Sequence, residues 1–203
     1  MDPFRDKMMM KSKHFLTLSV LLSLLVSCST GSNHTSQNMQ WVYQVDSLIM
    51  PFFISPQAVG NPPGNFPAYR YTNGEPINPS AIEYERLNPD FTPFFLAETD
   101  SLRRSYLRTN SRQIYGYCMA YHITGNESYL QLAKQGLNYL QQQNAFENGS
   151  AISFWDRNGN PQPTLLARNA QDLAYALLGP AAYYYLTRDQ EVLSLILKNH
   201  EFV

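Results

Sequence analysis

The sequence predicts an all-α protein built from stacked helical hairpins, and three observations lead there. A phrase recurs: Tyr121-x-x-Thr124-x-Asn126-x-x-x-Leu130 returns as Tyr184-x-x-Thr187-x-Asp189-x-x-x-Leu193, 63 residues further on. Several long segments carry apolar residues at helical spacing, and each copy of the phrase joins the end of one to the start of the next. A lone hairpin cannot bury its own apolar face, so recurrence at this period implies that hairpins stack on one another.

The first residues read as an export signal. Lys11, Lys13 and His14 lead into the apolar run 15–26, interrupted by Thr17, Ser19 and Ser23. The run is too short for a comfortable membrane span and suits the core of a signal peptide. The three methionines at 8–10 point to a start there, with 1–7 an over-extension. The run ends in Leu25-Val26-Ser27-Cys28, which resembles the bacterial lipobox, a signal whose cysteine is lipidated and becomes the first mature residue. Residues 1–27 are therefore expected as a lipoprotein signal, with Cys28 anchoring the protein to a membrane of the cell envelope (periplasm or outer membrane). Residues 28–38 are small and polar, a tether. The 176 residues from Cys28 onward suffice for one domain, taken here as 39–203. Cys118 is then the sole partner left for a disulfide, so no internal bridge forms and a buried, inert thiol is expected. A formal net charge of −1 argues against nucleic acid as a partner.

Within the domain, 39–53 places Trp41, Val42, Val45, Leu48, Ile49, Phe52 and Phe53 at helical spacing, and Pro51 and Pro56 mark its end. Residues 56–90 hold seven prolines and three glycines, a long loop that is either functional or disordered. Phe66, Tyr69 and Tyr71 favour a packed loop, with a hairpin turning at Asn73-Gly74. Residues 100–123 form the strongest helix, with Gly125 as its C-terminal cap and Asn126 capping the next helix, which runs to about 144. Residues 147–168 read as a polar crossover of two short strands with a turn at Asn158-Gly159. A very apolar, deeply buried helix over 170–186 comes next, kinked at Gly179-Pro180, and 189–200 begins one more.

Arg104, Arg108 and Arg112 lie four apart on the strong helix, where like charges repel by a few tenths of a kcal/mol per pair. Either they face solvent, or they meet acidic partners or an oxygen-rich ligand; Arg112, nearer the apolar stripe, is the less solvated. His122 ends a helix, where its charge is favoured, and the four histidines form no constellation. There is no metal-ligand spacing, phosphate loop or nucleophile motif, so no metal or cofactor is expected.

The stretch from Arg108 through Arg112, Gln113 and Tyr115 to the Tyr-x-x-Thr-Gly-Asn126 hairpin resembles the N-acylglucosamine 2-epimerase family, which includes cellobiose 2-epimerases and aldose–ketose isomerases. Tyr129-Leu130 with Ala133 and Gly136, then Asp156-x-x-Gly159, Arg168-x-x-x-Asp172-x-Ala174 and the second hairpin, extend the likeness over roughly 100–198. The resemblance implies an (α/α)6 toroid whose funnel binds a mono- or oligosaccharide. It implies Arg112 as the catalytic cation that stabilises an enediolate oxygen, with Arg108, Tyr115 and Trp155 binding substrate. The family's acid–base histidines match none of His34, His122 and His200, and Phe154 and Trp155 are displaced from the family's crossover aromatic. An (α/α)6 toroid needs twelve helices and this chain supplies about five. The expectation is thus an incomplete toroid, inactive alone, whose open end is met by self-association or by a missing C-terminal half. Two alternatives stand beside it: a glycan-binding lipoprotein presenting the tyrosine-rich loop at 64–71, and an (α/α) toroid glycoside hydrolase or lyase using Asp156 and Asp172.

Overall fold

The computed structural model describes residues 39–81, 102, 104–143, 151–156, 160–161 and 170–202. The export signal, Cys28 and the tether lie outside the described residues, as do the turn at Asn158-Gly159 and Arg168. The described residues are mostly helical with two short strands, compatible with the all-α class. None of the described helices is long and apolar enough to cross a membrane. Residues 39–43 are helical and belong to one unit; the chain from Gln44 onward forms the other, which holds every element named below.

The helix expected to end near Phe53 is not uniform. Gln44–Ile49 is π-helical and α1, Met50–Phe53, is a single α turn. Pro51 gives the reason: it has no N–H for an i→i−4 bond and is tolerated in a first turn, where α1 places it. Ser55 then caps α2, Pro56–Val59, by accepting the Ala58 N–H at 3.3 Å. The proline-rich loop beyond is packed. Phe66 is fully buried, and its N–H donates to the buried Asn110 Oδ1 at 3.1 Å. Its turn at Asn73-Gly74 forms as the sequence predicts: Arg70 bridges to Pro76, and the Tyr71 N–H donates to Glu75 O at 2.7 Å.

Four long helices make the body: α3 (Leu107–Thr124), α4 (Glu127–Gln142), α5 (Ala170–Thr187) and α6 (Gln190–Phe202). The strong helix therefore starts later than 100. Strand β1, Ser105–Tyr106, pairs antiparallel with β2, Phe154–Trp155, with Ser105 opposite Trp155 and Tyr106 opposite Phe154. The first N–H of α3, on Leu107, donates to Ser153 O at 3.0 Å. That partner lies beyond the reach of any local pattern, and it satisfies one of the orphan donors at the helix start.

α3 packs along α5 and, as a hairpin, against α4; α5 and α6 form the second hairpin. Leu107, Ile114 and Cys118 of α3, Leu137 and Leu140 of α4, Ala176 of α5 and Val192 of α6 sit in one core. Each large apolar side chain buried there is worth roughly 1.5–3 kcal/mol. Gly179 lets α5 approach α3 closely: a Cβ there would stand 2.6 Å from Ser111 O and 2.9 Å from Ile114 Cβ. α5 is less buried than its composition predicts, because Gln171, Ala174, Ala181 and Tyr185 are exposed along one side.

The repeated phrase is repeated atom by atom. Thr124 Oγ1 donates to Ala120 O at 2.7 Å and accepts the Asn126 N–H at 3.1 Å; Thr187 Oγ1 donates to Tyr183 O at 2.8 Å and accepts the Asp189 N–H at 3.3 Å. Asn126 Oδ1 caps α4 through the Ser128 N–H at 3.1 Å, and Asp189 Oδ1 caps α6 through the Glu191 N–H at 3.0 Å. Between them, Gly125 (φ 71°) and Arg188 (φ 59°) take the left-handed conformation that ends a helix. Having an acid at the second cap adds a tie across the hairpins. Lys134 Nζ reaches Asp189 Oδ2 at 3.1 Å, and that hydrogen bond holds the Asp189 carboxyl below its usual range.

Candidate functional site

The sequence period is also a spatial register. Arg108 meets Gln171, with Nη1 3.4 Å from Oε1; the Arg112 guanidinium lies 5.4 Å from the centre of the Tyr175 ring; His122 meets Tyr185 edge-on at 6.3 Å. Each pair is separated by the same 63 residues as the repeated phrase. α3 and α5 therefore run parallel and in step, and the positions facing across them are repeat-equivalents.

That register gathers two of the expected site residues. The Arg108 and Arg112 guanidinium groups share Tyr175, at 5.9 and 5.4 Å from its centroid. A ring quadrupole shared this way offsets part of the repulsion between neighbouring cations, by about 0.5–1 kcal/mol at an exposed site. Asp172 adds an ion pair to Arg108 at 3.9 Å and accepts the Ser153 hydroxyl at 3.0 Å. With the arginine exposed, this pair is worth at most about 1 kcal/mol.

Arg112 also lines a cavity of about 170 Å³ with Met50, Phe53, Gln113, Gly116 and Tyr117. One wall is fixed: the Tyr117 hydroxyl donates to Phe53 O at 2.6 Å and accepts from Gln113 Nε2 at 2.8 Å. Burial pushes that phenol up from its ordinary pKa, so it stays a neutral donor. Behind it Arg70 stacks on Phe52, 4.2 Å from the ring centre, and donates to Phe52 O at 3.0 Å. The site thus offers an exposed fixed cation over a small, largely apolar hollow.

The remaining expected residues do not converge on Arg112. Tyr115 is exposed but is not among the residues lining the cavity. Trp155 is wholly buried, edge-on to Tyr139 at 6.4 Å, so it presents no ring face to a sugar. Its Nε1–H has no hydrogen-bond partner among the described residues. The row of three arginines on one helix face is corrected too. Arg104 precedes α3 and lays its guanidinium over Phe154 at 4.5 Å. Arg104 is half-buried and Arg112 exposed, the reverse of the order expected from the apolar stripe.

Asp156 accepts from the Asn160 N–H at 2.8 Å and from its Nδ2 at 3.0 Å, and Asp172 is held by Ser153 and Arg108, so both carboxylates have structural partners. Cys118 is fully buried, which pushes its thiol up to about 12. Tyr175, Tyr117 and Gln113 complete the surroundings of Arg112. Gln113 belongs to the family-like segment without a role in it, and adding the 63-residue period to Arg112 would have found Tyr175.

A scan against protein-family models, a search of curated proteins and a search of solved structures each found no match to this chain.

Proposed function

We propose that this chain is part of an (α/α) toroid that interconverts a sugar with its 2-epimer or its ketose, with Arg112 holding the reacting oxygen. The observation that carries the reading is the placement of Arg112: exposed, flanked by Arg108, braced on Tyr175 and set over a small hollow. The in-register hairpins are compatible with the toroid, because stacking one hairpin on the next in step is common to closed and open helical arrays. In the proposed reaction a base removes the proton from C2 of the open-chain aldose, and the electron pair moves to the carbonyl oxygen. Arg112 stabilises that oxyanion without taking part in proton transfer. Return of the proton to the opposite face of C2 gives the epimer; delivery of a proton to C1, with the C2 hydroxyl proton passing to the C1 oxygen, gives the ketose, so the reaction needs no oxidant.

His122 stands ten residues past Arg112, about 15 Å along the helix axis, and cannot reach the same carbon as its acid or base. His122 is therefore not the proton-transfer group of this reading. Export and a lipid anchor at Cys28 in the cell envelope belong to the same proposal and rest on the sequence pattern alone.

The test uses the full-length product of the gene that carries this sequence. It is incubated in deuterium oxide with cellobiose, mannose or N-acetylglucosamine, and label at C2 of the aldose or C1 of the ketose is read by NMR. Label is expected with one of them, and Arg112→Ala should lower turnover at least about 100-fold while leaving the melting temperature in place. Full turnover by that variant would overturn the role of Arg112. Saturable sugar binding with no label would favour a glycan-binding protein, and release of reducing ends from an oligosaccharide a hydrolase.

A further inference from the structure

A second cleft, of about 360 Å³, opens between α2, the proline-rich loop and β1, and it shares no lining residue with the cavity at Arg112. Its size falls in the range of small-molecule sites, about 300–1,000 Å³. Three carboxamides line it, on Gln57, Asn61 and Asn65, together with Arg104, and its apolar surface includes Pro67, Pro76 and Tyr69. A carboxamide carries both a donor and an acceptor, as a hydroxyl does, so a group of them matches neighbouring hydroxyls, and the Arg104 guanidinium in the same lining adds further donors for hydroxyl oxygens. Proline and tyrosine rings offer flat apolar faces of the kind that cover the C–H side of a sugar ring.

The site is built before any ligand arrives. Asn65 Oδ1 accepts the Ser105 hydroxyl at 2.6 Å, tying the loop to β1. The loop backbone closes on itself through Gly64 N–H to Val59 O at 2.9 Å and Asn65 N–H to Pro62 O at 3.0 Å, and the buried Phe66 anchors it next door. Gln57 and Asn61 are exposed, and their side-chain amides make no hydrogen bond to another described residue. The Asn65 amide is held in place, its Nδ2 also donating to Asn61 O at 3.4 Å, while those of Gln57 and Asn61 are uncommitted, and a fixed backbone of this kind loses little conformational freedom on binding.

We propose that this cleft binds a pyranose-sized, polyhydroxylated ligand through the carboxamides of Gln57, Asn61 and Asn65. The site is separate from the one at Arg112 and does not depend on the epimerase reading. The test follows the side-chain amide signals of these three residues by NMR in the full chain. The probes are methyl β-D-glucopyranoside, methyl α-D-mannopyranoside and methyl β-D-galactopyranoside at millimolar concentration, with glycerol as the control.

Saturable shifts of the three amides are expected with at least one pyranoside and not with glycerol. The double variant Gln57→Ala/Asn61→Ala should bind about tenfold more weakly, at an unchanged melting temperature because both residues are exposed. Arg112→Ala should leave the shifts in place, which separates this site from the proposed catalytic one. The proposal is overturned if no pyranoside moves these signals, if glycerol moves them equally, if the double variant binds like the parent, or if Arg112→Ala abolishes the shifts.

Discussion

Ser111→Ala tests how α5 tolerates a proline in its interior. Pro180 has no N–H, so the carbonyl of Ala176, four residues earlier, loses its helical partner. Ser111 of α3 replaces it: its hydroxyl donates to Ala176 O at 3.1 Å and accepts the Gly179 N–H at 2.9 Å. The side chain is fully buried, so water cannot substitute. Removing it strands a buried acceptor and a buried donor, each costing about 1–3 kcal/mol when unsatisfied. The Gly179 N–H can relax toward its ordinary partner four residues back, whereas the Ala176 carbonyl cannot, so the expected loss is about 2–3 kcal/mol. For a domain of this size that corresponds to a fall in Tm of about 4–12 °C, read by calorimetry or denaturant unfolding. Pro180→Ala restores the missing N–H and makes the serine redundant, so Ser111→Ala should cost at least about 1 kcal/mol less in that background. A loss within 0.5 kcal/mol, the range of an ordinary surface change, or strict additivity of the two substitutions, would refute this account of the serine.

The two hairpin turns should respond to substitution with opposite signs. Gly125→Ala places a side chain at φ 71° and should cost about 1 kcal/mol. Arg188→Gly should stabilise by about 0.5 kcal/mol, because relief at φ 59° exceeds the entropy of a new glycine and the loss of exposed contacts to Tyr184 and Tyr185; denaturant midpoints decide both. The Tyr129 hydroxyl donates to Asp46, and burial first, then that carboxylate, raises its pKa from 10 to about 12. The unfolded chain then loses its proton first, so stability should fall from pH 10 to about 12. The difference in unfolding free energy between the parent and Tyr129→Phe should be flat below pH 10 and shrink above it. In a Cys28→Ser background, a thiol reagent should modify Cys118 no faster than the protein opens, and prompt reaction under native conditions would contradict its burial.

How much the sequence reveals depends on how local each signal is. The hairpin turns were legible because threonine, a left-handed residue and an Asn or Asp cap act within a few residues, and the structure uses each atom as the motif implies. The start of α3 was not, because Ser105 and Tyr106 are claimed by a strand some fifty residues away in sequence. That pairing also took Arg104 off the helix and buried Trp155, so the two misplacements share one non-local cause. The cleft beside Asn61 was invisible for the same reason: its walls come from the loop and from β1.

The 63-residue period also bears on the open side of α5. α3 meets α5 through Arg108, Ser111, Arg112, Ile114 and His122. Their repeat-equivalents on α5 are Gln171, Ala174, Tyr175, Leu177 and Tyr185. Ser111 and Ile114 are fully buried, yet none of the five equivalents is, and Tyr185 is 59 % exposed. α5 thus carries, open among the described residues, the same set of positions that α3 uses to receive a parallel helix. Under the proposed toroid this is the surface on which the next inner helix would lie.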